Sequence, residues 1–176
     1  AHAIDPSLST GPVPVLTPKA QPQHASAKQH QTGEALLTGS GLRSQADFTV
    51  RGRALVTDVP ITYLGYVNRD SGVIEEPGHP LDGVAIEDTV LVYPQGSGST
   101  VAPYVLMGLI YTGKGPKAVV NRDICPLTLP ACSLLGVPYG HGFDNDPCLA
   151  VNTGDTVEFR RTPDGVVLEV VERVQP

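Results

Sequence analysis

The chain has no tryptophan, one methionine, three phenylalanines and three cysteines among its 176 residues, and each scarcity excludes something. Cys125, Cys132 and Cys148 are an odd number, with no CxxC pair and no Cys/His spacing suited to a metal. Neither a disulfide framework nor a self-contained zinc or iron–sulfur site is expected, and the chain alone should bind no cofactor. No apolar run approaches the roughly 20 residues that cross a bilayer, and the first residues lack the basic region and apolar stretch of a signal peptide. A soluble, cytoplasmic protein is the resulting expectation. Positive charge is also short: 12 Lys and Arg against 18 Asp and Glu leave a net charge of -6. That balance speaks against a nucleic-acid or anionic-membrane surface, which would gather Lys and Arg.

What is plentiful is glycine (19) and proline (17), beside a hydrophobic fraction of 40%. Such a chain packs a core and turns often, with short strands. Its length suits one ordinary domain of about 100 to 150 residues with some sequence to spare. The surplus falls at the start. Residues 1 to 45 interleave Pro6, Pro12, Pro14, Pro18 and Pro22 with Ala, Gln, Ser and Thr and show no periodic apolar face. They read as an extended arm or linker, wrapping a partner where it orders at all. Its histidines, His2, His24 and His30, are too irregularly spaced for a metal site. The folded domain is expected over 46–176.

From Ala46 the pattern changes. Phe48, Val50, Ala54, Leu55 and Val56 read as a strand, and after the Asp70-Ser71-Gly72 turn signal Val73 and Ile74 resume strand character. Thr89 to Tyr93 is a short apolar run leading into Pro94-Gln95-Gly96-Ser97-Gly98-Ser99-Thr100, the densest Gly/Ser window of the domain. Val101, Val105, Leu106, Leu109 and Ile110 then share one helical face, with Pro103 in the first turn and Gly113 as a stop. Ala118-Val119-Val120 reads as a second buried strand, parallel to the first across a right-handed crossover. A short helix from Leu127 to Leu135, closed by Gly136, precedes Val137-Pro138-Tyr139. Val157 to Arg161 and Val166 to Val170 flank Thr162-Pro163-Asp164-Gly165 as a hairpin. The fold class is mixed α/β: a small parallel βαβ unit flanked by antiparallel strands.

A Gly-rich loop between a buried strand and a helix start gathers backbone N–H groups and the positive end of the helix dipole. The loop is not a Walker A sequence, lacking the Lys after its second glycine, and does not match GxGxxG. On spacing alone it fits either a substrate-binding loop or a structural turn with a Ser or Thr helix cap.

Several blocks in order carry a more specific resemblance. Gly98-Ser99-Thr100 through Tyr104-Val105-Leu106, then Gly115-Pro116-Lys117-Ala118-Val119-Val120, resemble the core signature of the swivelling domain of the aconitase-X group. Upstream, Gly65, Asp70-Ser71-Gly72-Val73-Ile74 and His79-Pro80-Leu81-Asp82-Gly83 resemble the same family in the same order. The resemblance covers roughly residues 46 to 174 and implies a swivelling β/β/α domain. It also implies a hydro-lyase whose large subunit holds an iron or iron–sulfur centre, with a small subunit closing over a hydroxy-acid substrate. Ser99 matches the serine proposed as that family's catalytic base, and Gly96, Ser97, Gly98 and Thr100 become substrate-binding positions. Ser97 stands where the family often has a basic residue between the loop glycines.

Two substrates compete within that resemblance, cis-3-hydroxy-L-proline and mevalonate 5-phosphate. The missing basic residue at Ser97, with no Lys or Arg cluster before Lys114, favours the less anionic hydroxyproline, as does the style of the Pro/Gln/Ala arm. An alternative of another class is a non-catalytic module that binds a small anion or a protein. Other marked residues have plainer readings: His79 and His141 as structural or interfacial, Asp70 as a turn-former, and Asp144 to Asp146 as a solvated loop without EF-hand spacing.

Overall fold

The structure, a computed structural model, describes residues 33–176. Its elements in chain order are β1 (Ala35–Gly41), β2 (Thr49–Val56), α1 (Tyr63–Tyr66), β3 (Val90–Tyr93), α2 (Ala102–Tyr111), β4 (Ala118–Asn121), α3 (Leu129–Leu135), β5 (Tyr139–His141), α4 (Pro147–Ala150), β6 (Thr156–Thr162) and β7 (Gly165–Glu172). The strands close into a barrel in the order β1-β5-β4-β3-β2-β6-β7. Strands β2, β3, β4 and β5 run parallel to their neighbours, while β6, β7 and β1 complete the circuit with antiparallel pairs.

The apolar runs explain this arrangement. Every residue of β3 and β4 is buried, as befits strands covered on both faces. Successive side chains point to opposite faces. Leu91, Tyr93 and Val119 therefore join one core with Val105, Leu106 and Leu109 of α2 and Ala131 and Cys132 of α3. Val90, Val92, Ala118 and Val120 join a second core, inside the barrel, with Leu37, Val157, Phe159, Leu168 and Val170. Each fully buried Leu or Phe contributes about 1.5–3 kcal/mol. The expected hairpin is present, Thr162 pairing with Gly165 across Pro163-Asp164. Helix α3 ends at Gly136 in the left-handed conformation (φ 69°). Among the described residues no helix is long and apolar enough to cross a membrane.

Two expectations need correction. The boundary at residue 45 cuts through the barrel: β1 lies on the arm side of it and pairs with both β5 and β7. Its sequence hides this, because only Leu37 is fully buried while Leu36 is 57% exposed and two of the seven residues are glycines. Residues 1–32 of the expected arm, with His2, His24 and His30, lie outside the described residues. Val73 and Ile74 form single bridges, to Ala85 and Val67, rather than a strand. The stretch from Val67 to Thr89 is a succession of turns pinned by buried Ile74, Leu81 and Ile86.

The closure is also fastened at its ends. Asp155 is fully buried and accepts hydrogen bonds from Asn152 N (2.8 Å), Val174 N (2.9 Å) and Arg173 Nη1 (2.8 Å). Arg173 also donates to Gly33 O (2.6 Å) and Ala150 O (2.9 Å), joining the start of β1 to the end of β7. The carboxylate is thus paired and its oxygens satisfied, the condition under which a buried charge is tolerated.

Two outcomes follow. Deleting residues 1–45 removes β1 and leaves edges on β5 and β7, a loss of several kcal/mol against the about 5–15 kcal/mol of a whole domain. Circular dichroism melts should lose their cooperative transition; a cooperative melt close to that of the full chain would show β1 to be dispensable. The second concerns His141 on β5, whose imidazole pKa is lowered by burial. The unfolded chain then binds the proton more readily than the folded one. The cost is absent above the ordinary imidazole pKa and grows as pH falls through it toward the folded value. His141→Gln should therefore flatten the fall in Tm between about pH 7 and pH 5. An unchanged slope would remove His141 from the acid response.

Candidate functional site

The Gly-rich loop leaves β3 directly after Tyr93, at the carboxyl edge of the four parallel strands. In open α/β sheets this edge is where ligands collect. The segments that follow β2 and β4 hold the loop from either side. Ile61 N donates to Gln95 O (3.2 Å) and Ser97 N to Ile61 O (2.9 Å) on one side. Arg122 N donates to Tyr93 O and Asp123 N to Pro94 O, both at 3.2 Å, on the other.

The five expected site residues are brought together, and burial divides them. Gly96 is buried, Ser97 half-buried, and Gly98, Ser99 and Thr100 are exposed. Gly96 N donates to Cys125 Sγ (3.2 Å). The Ser97 hydroxyl lies 2.5 Å from that of Thr62. Ser97 is therefore an anchor rather than a free contact point. Gly98 has φ 97°, a left-handed conformation that side chains rarely adopt, so the loop can turn outward here only on glycine. Ser99 Oγ accepts from Val101 N (3.3 Å), and Ser99 O accepts from Ala102 N (2.9 Å) at the start of α2. The hydroxyl contact at this turn thus belongs to Ser99, two residues ahead of the N-cap residue Val101, and the Thr100 hydroxyl has no hydrogen-bond partner among the described residues. The same holds for the backbone N–H groups of Gly98, Ser99 and Thr100, which sit in the turn before α2.

Beneath the loop lies a buried polar group that spacing alone does not reveal. Tyr63, Tyr93, Asn121, Cys125, Thr128 and Tyr139 are each at most 1% exposed and linked by hydrogen bonds. Burial raises the pKa of Tyr63, Tyr93 and Tyr139, which keeps the phenols protonated. It pushes the Cys132 thiol up to about 12, so this sulfur is no nucleophile. In the sequence only Tyr93 and Thr128 fall in an expected strand or helix, while Tyr63, Asn121 and Cys125 carry no signal that would join them.

The other marked residues settle into structural places. His79 is 8% exposed, and its Nδ1 accepts from Leu81 N (3.0 Å) while Nε2 lies 3.1 Å from Pro60 O. These two contacts let the ring buttress the segment that pairs with Gly96. Asp144 accepts from Thr38 N and Oγ1 at 3.0 and 3.2 Å, and Asp146 caps α4 by accepting from Cys148 N (2.9 Å). A cleft of about 200 Å³ is lined by Leu42, Gln45, Phe48, Cys132 and Pro138, among others, and by no residue of the Gly-rich loop.

This arrangement has counterparts. The phosphomevalonate dehydratase small subunit of Methanococcoides burtonii is 32% identical over 120 residues, covering 68% of this chain and 88% of that protein. The protein of the same name from Pyrococcus abyssi is 36% identical over 95 residues, covering 54% and 73%. In structure, the chain resembles Thermococcus kodakaraensis aconitase X in its holo-form, with TM-score 0.68 and 25% identity over 78% of this chain and 99% of that one. A family model for the aconitase X swivel domain matches residues 28–168, and with the barrel, the parallel unit and the Gly-rich loop in place, the chain belongs to that family.

Proposed function

We propose that this chain is the small subunit of a dehydratase acting on mevalonate 5-phosphate, and that it supplies Ser99 as the base to an active site completed by a large subunit. The observation that carries the reading is an exposed serine at the carboxyl edge of the parallel strands, beside three backbone N–H groups without partners among the described residues. The preference for cis-3-hydroxy-L-proline gives way, because the named relatives at 32–36% identity are phosphomevalonate dehydratase small subunits. Ser97 in place of a basic residue does not exclude an anionic substrate. A phosphate or carboxylate can be held by N–H groups at a helix start as well as by a cation, so a loop without Lys or Arg does not select a neutral substrate.

Dehydration removes a hydroxyl and a proton from the neighbouring carbon. The serine gives up its hydroxyl proton and its oxygen takes the C–H proton, the C–H electron pair becomes the double bond, and the hydroxyl leaves with the C–O pair, as water once it has gained the proton the serine released. A serine hydroxyl is a poor base at neutral pH. Among the described residues its only hydrogen-bond partner is Val101 N, which donates to Oγ and so favours the oxygen carrying negative charge. The helix dipole of α2 acts in the same sense. Gly96 and Ser97 hold the loop in place, while Gly98 and Thr100 border the exposed turn that meets the substrate.

An iron or iron–sulfur centre is assigned to the large subunit. The donor set of this chain does not fit one: Cys132 and Cys148 lie in different cores, and among the described residues no three His, Cys, Asp or Glu side chains gather to hold an ion.

The test is turnover of mevalonate 5-phosphate by the chain assembled with its large subunit. Ser99→Ala should lower kcat by about 10²- to 10⁴-fold, as for general acid–base groups, and shift KM much less. Ser97→Ala should have the milder effect, losing the contact with Thr62. Near-native turnover of Ser99→Ala, with co-elution confirming assembly, would assign the base to the large subunit.

A further inference from the structure

The buried polar group beneath the loop has a direction. Each hydroxyl carries one hydrogen. Thr128 Oγ1 donates to Cys125 Sγ at 3.4 Å, so it accepts from Tyr93, whose hydroxyl is 2.9 Å away. Tyr93 in turn accepts from the Tyr63 hydroxyl at 2.7 Å. The chain Tyr63 to Tyr93 to Thr128 therefore ends on sulfur, where it meets the N–H of Gly96 arriving from the loop at 3.2 Å. A second branch fixes the backbone of Cys125: its N–H donates to Tyr139 Oη (3.2 Å), which donates to Asn121 Oδ1 (2.9 Å), while Asn121 Nδ2 donates to Tyr93 O (3.2 Å).

Both ends of this chain fasten adjacent loop residues. Cys125 holds Gly96, and Thr62, the neighbour of Tyr63, holds Ser97 through the 2.5 Å hydroxyl contact. The fit is close. A Cβ added to Gly96 would stand 3.3 Å from Thr128 Oγ1 and 3.5 Å from Cys125 Sγ. A buried N–H left without an acceptor is costly, and the sulfur supplies the one for Gly96, between the backbone bonds that hold Gln95 and Ser97 to Ile61.

We propose that Cys125 is a positioning residue, its sulfur serving as the acceptor that sets Gly96 and, through it, the turn that presents Ser99. The proposal rests on the role given to Ser99 above. A reacting group displaced by about 1 Å can lose about 100-fold in rate, so the anchor of the loop acts on turnover without touching substrate.

The experiment compares Cys125→Ala, Cys125→Ser and Thr128→Val. It reads kcat and KM in the complex with the large subunit, and amide exchange of Gly96 in the full-length chain. Cys125→Ala should lower kcat by about 10- to 100-fold with KM within about 3-fold, and speed Gly96 exchange by about 10-fold or more. Cys125→Ser keeps an acceptor and should recover most of both losses. Thr128→Val, nearly isosteric, should move both readings in the same direction as Cys125→Ala by less, and it decides the matter should the alanine variant not fold. Native kcat in Cys125→Ala overturns the proposal, as does a serine variant no better than alanine in both readings, which would mark Cys125 as packing alone. Should Ser99→Ala prove silent, the reading of the base fails separately. Gly96 exchange then decides alone: protection kept by serine and lost by alanine supports the anchor, and no difference overturns it.

Discussion

Burial of β3 on both faces is the constraint from which the remaining structure follows. With parallel neighbours β2 and β4 and apolar side chains throughout, the strand has one register that sends Val90 and Val92 into the barrel and Leu91 and Tyr93 toward the helices. A slip of one residue would exchange the two sets. Tyr93 would then lose both Tyr63 and Thr128, and the loop that begins one residue later would lose its floor. Core packing and site geometry are in this sense the same decision, taken at a single strand.

The sequence made this central unit legible because its signals are local. Apolar runs four residues long, a Gly/Ser-dense window, a helix-period stripe ending at glycine and a Pro-Asp turn each announce themselves within about ten residues. The failures share a different cause. Strand β1 contributes one fully buried side chain and borrows the rest of its stability from β7 and β5, whose paired residues stand 99 or more positions away in the chain. Such a strand is defined by its partners and not by its own alternation. The polar floor of the site was hidden for a related reason: Tyr63, Tyr93, Cys125 and Tyr139 count as apolar in a periodicity reading, and their hydroxyls and thiol matter only once four segments meet. The exposed half of the loop was read from a motif, whereas the anchoring role of Ser97 depends on Thr62, which carries no motif at all.

Electrostatics around the loop are sparse. Arg122, whose backbone bonds Tyr93 O, is already engaged with Asp123 at 3.1 Å and Asp146 at 3.8 Å. The chain therefore offers an anion oriented peptide dipoles more readily than mobile cations. Dipoles of this kind are fixed before the ligand arrives and need no reorganisation when charge develops. In the proposed assembly with a large subunit, such stiffness would have the loop's contribution in place when the two subunits meet.

The meeting of β1 and β7 also sets how the molecule bears a load. Ala35 pairs with Val170, and Gly33 shares Arg173 with the far end of the chain, so the described segment enters and leaves the barrel at the same end of one antiparallel ladder. Tension between those two points falls on the ladder bonds one after another, as in opening a zip, instead of on all of them in shear. The barrel is thus closed against solvent and thermal fraying yet compliant to a pull on its ends, and an unfolding machine gripping either end would begin by peeling apart the seam that makes it a barrel.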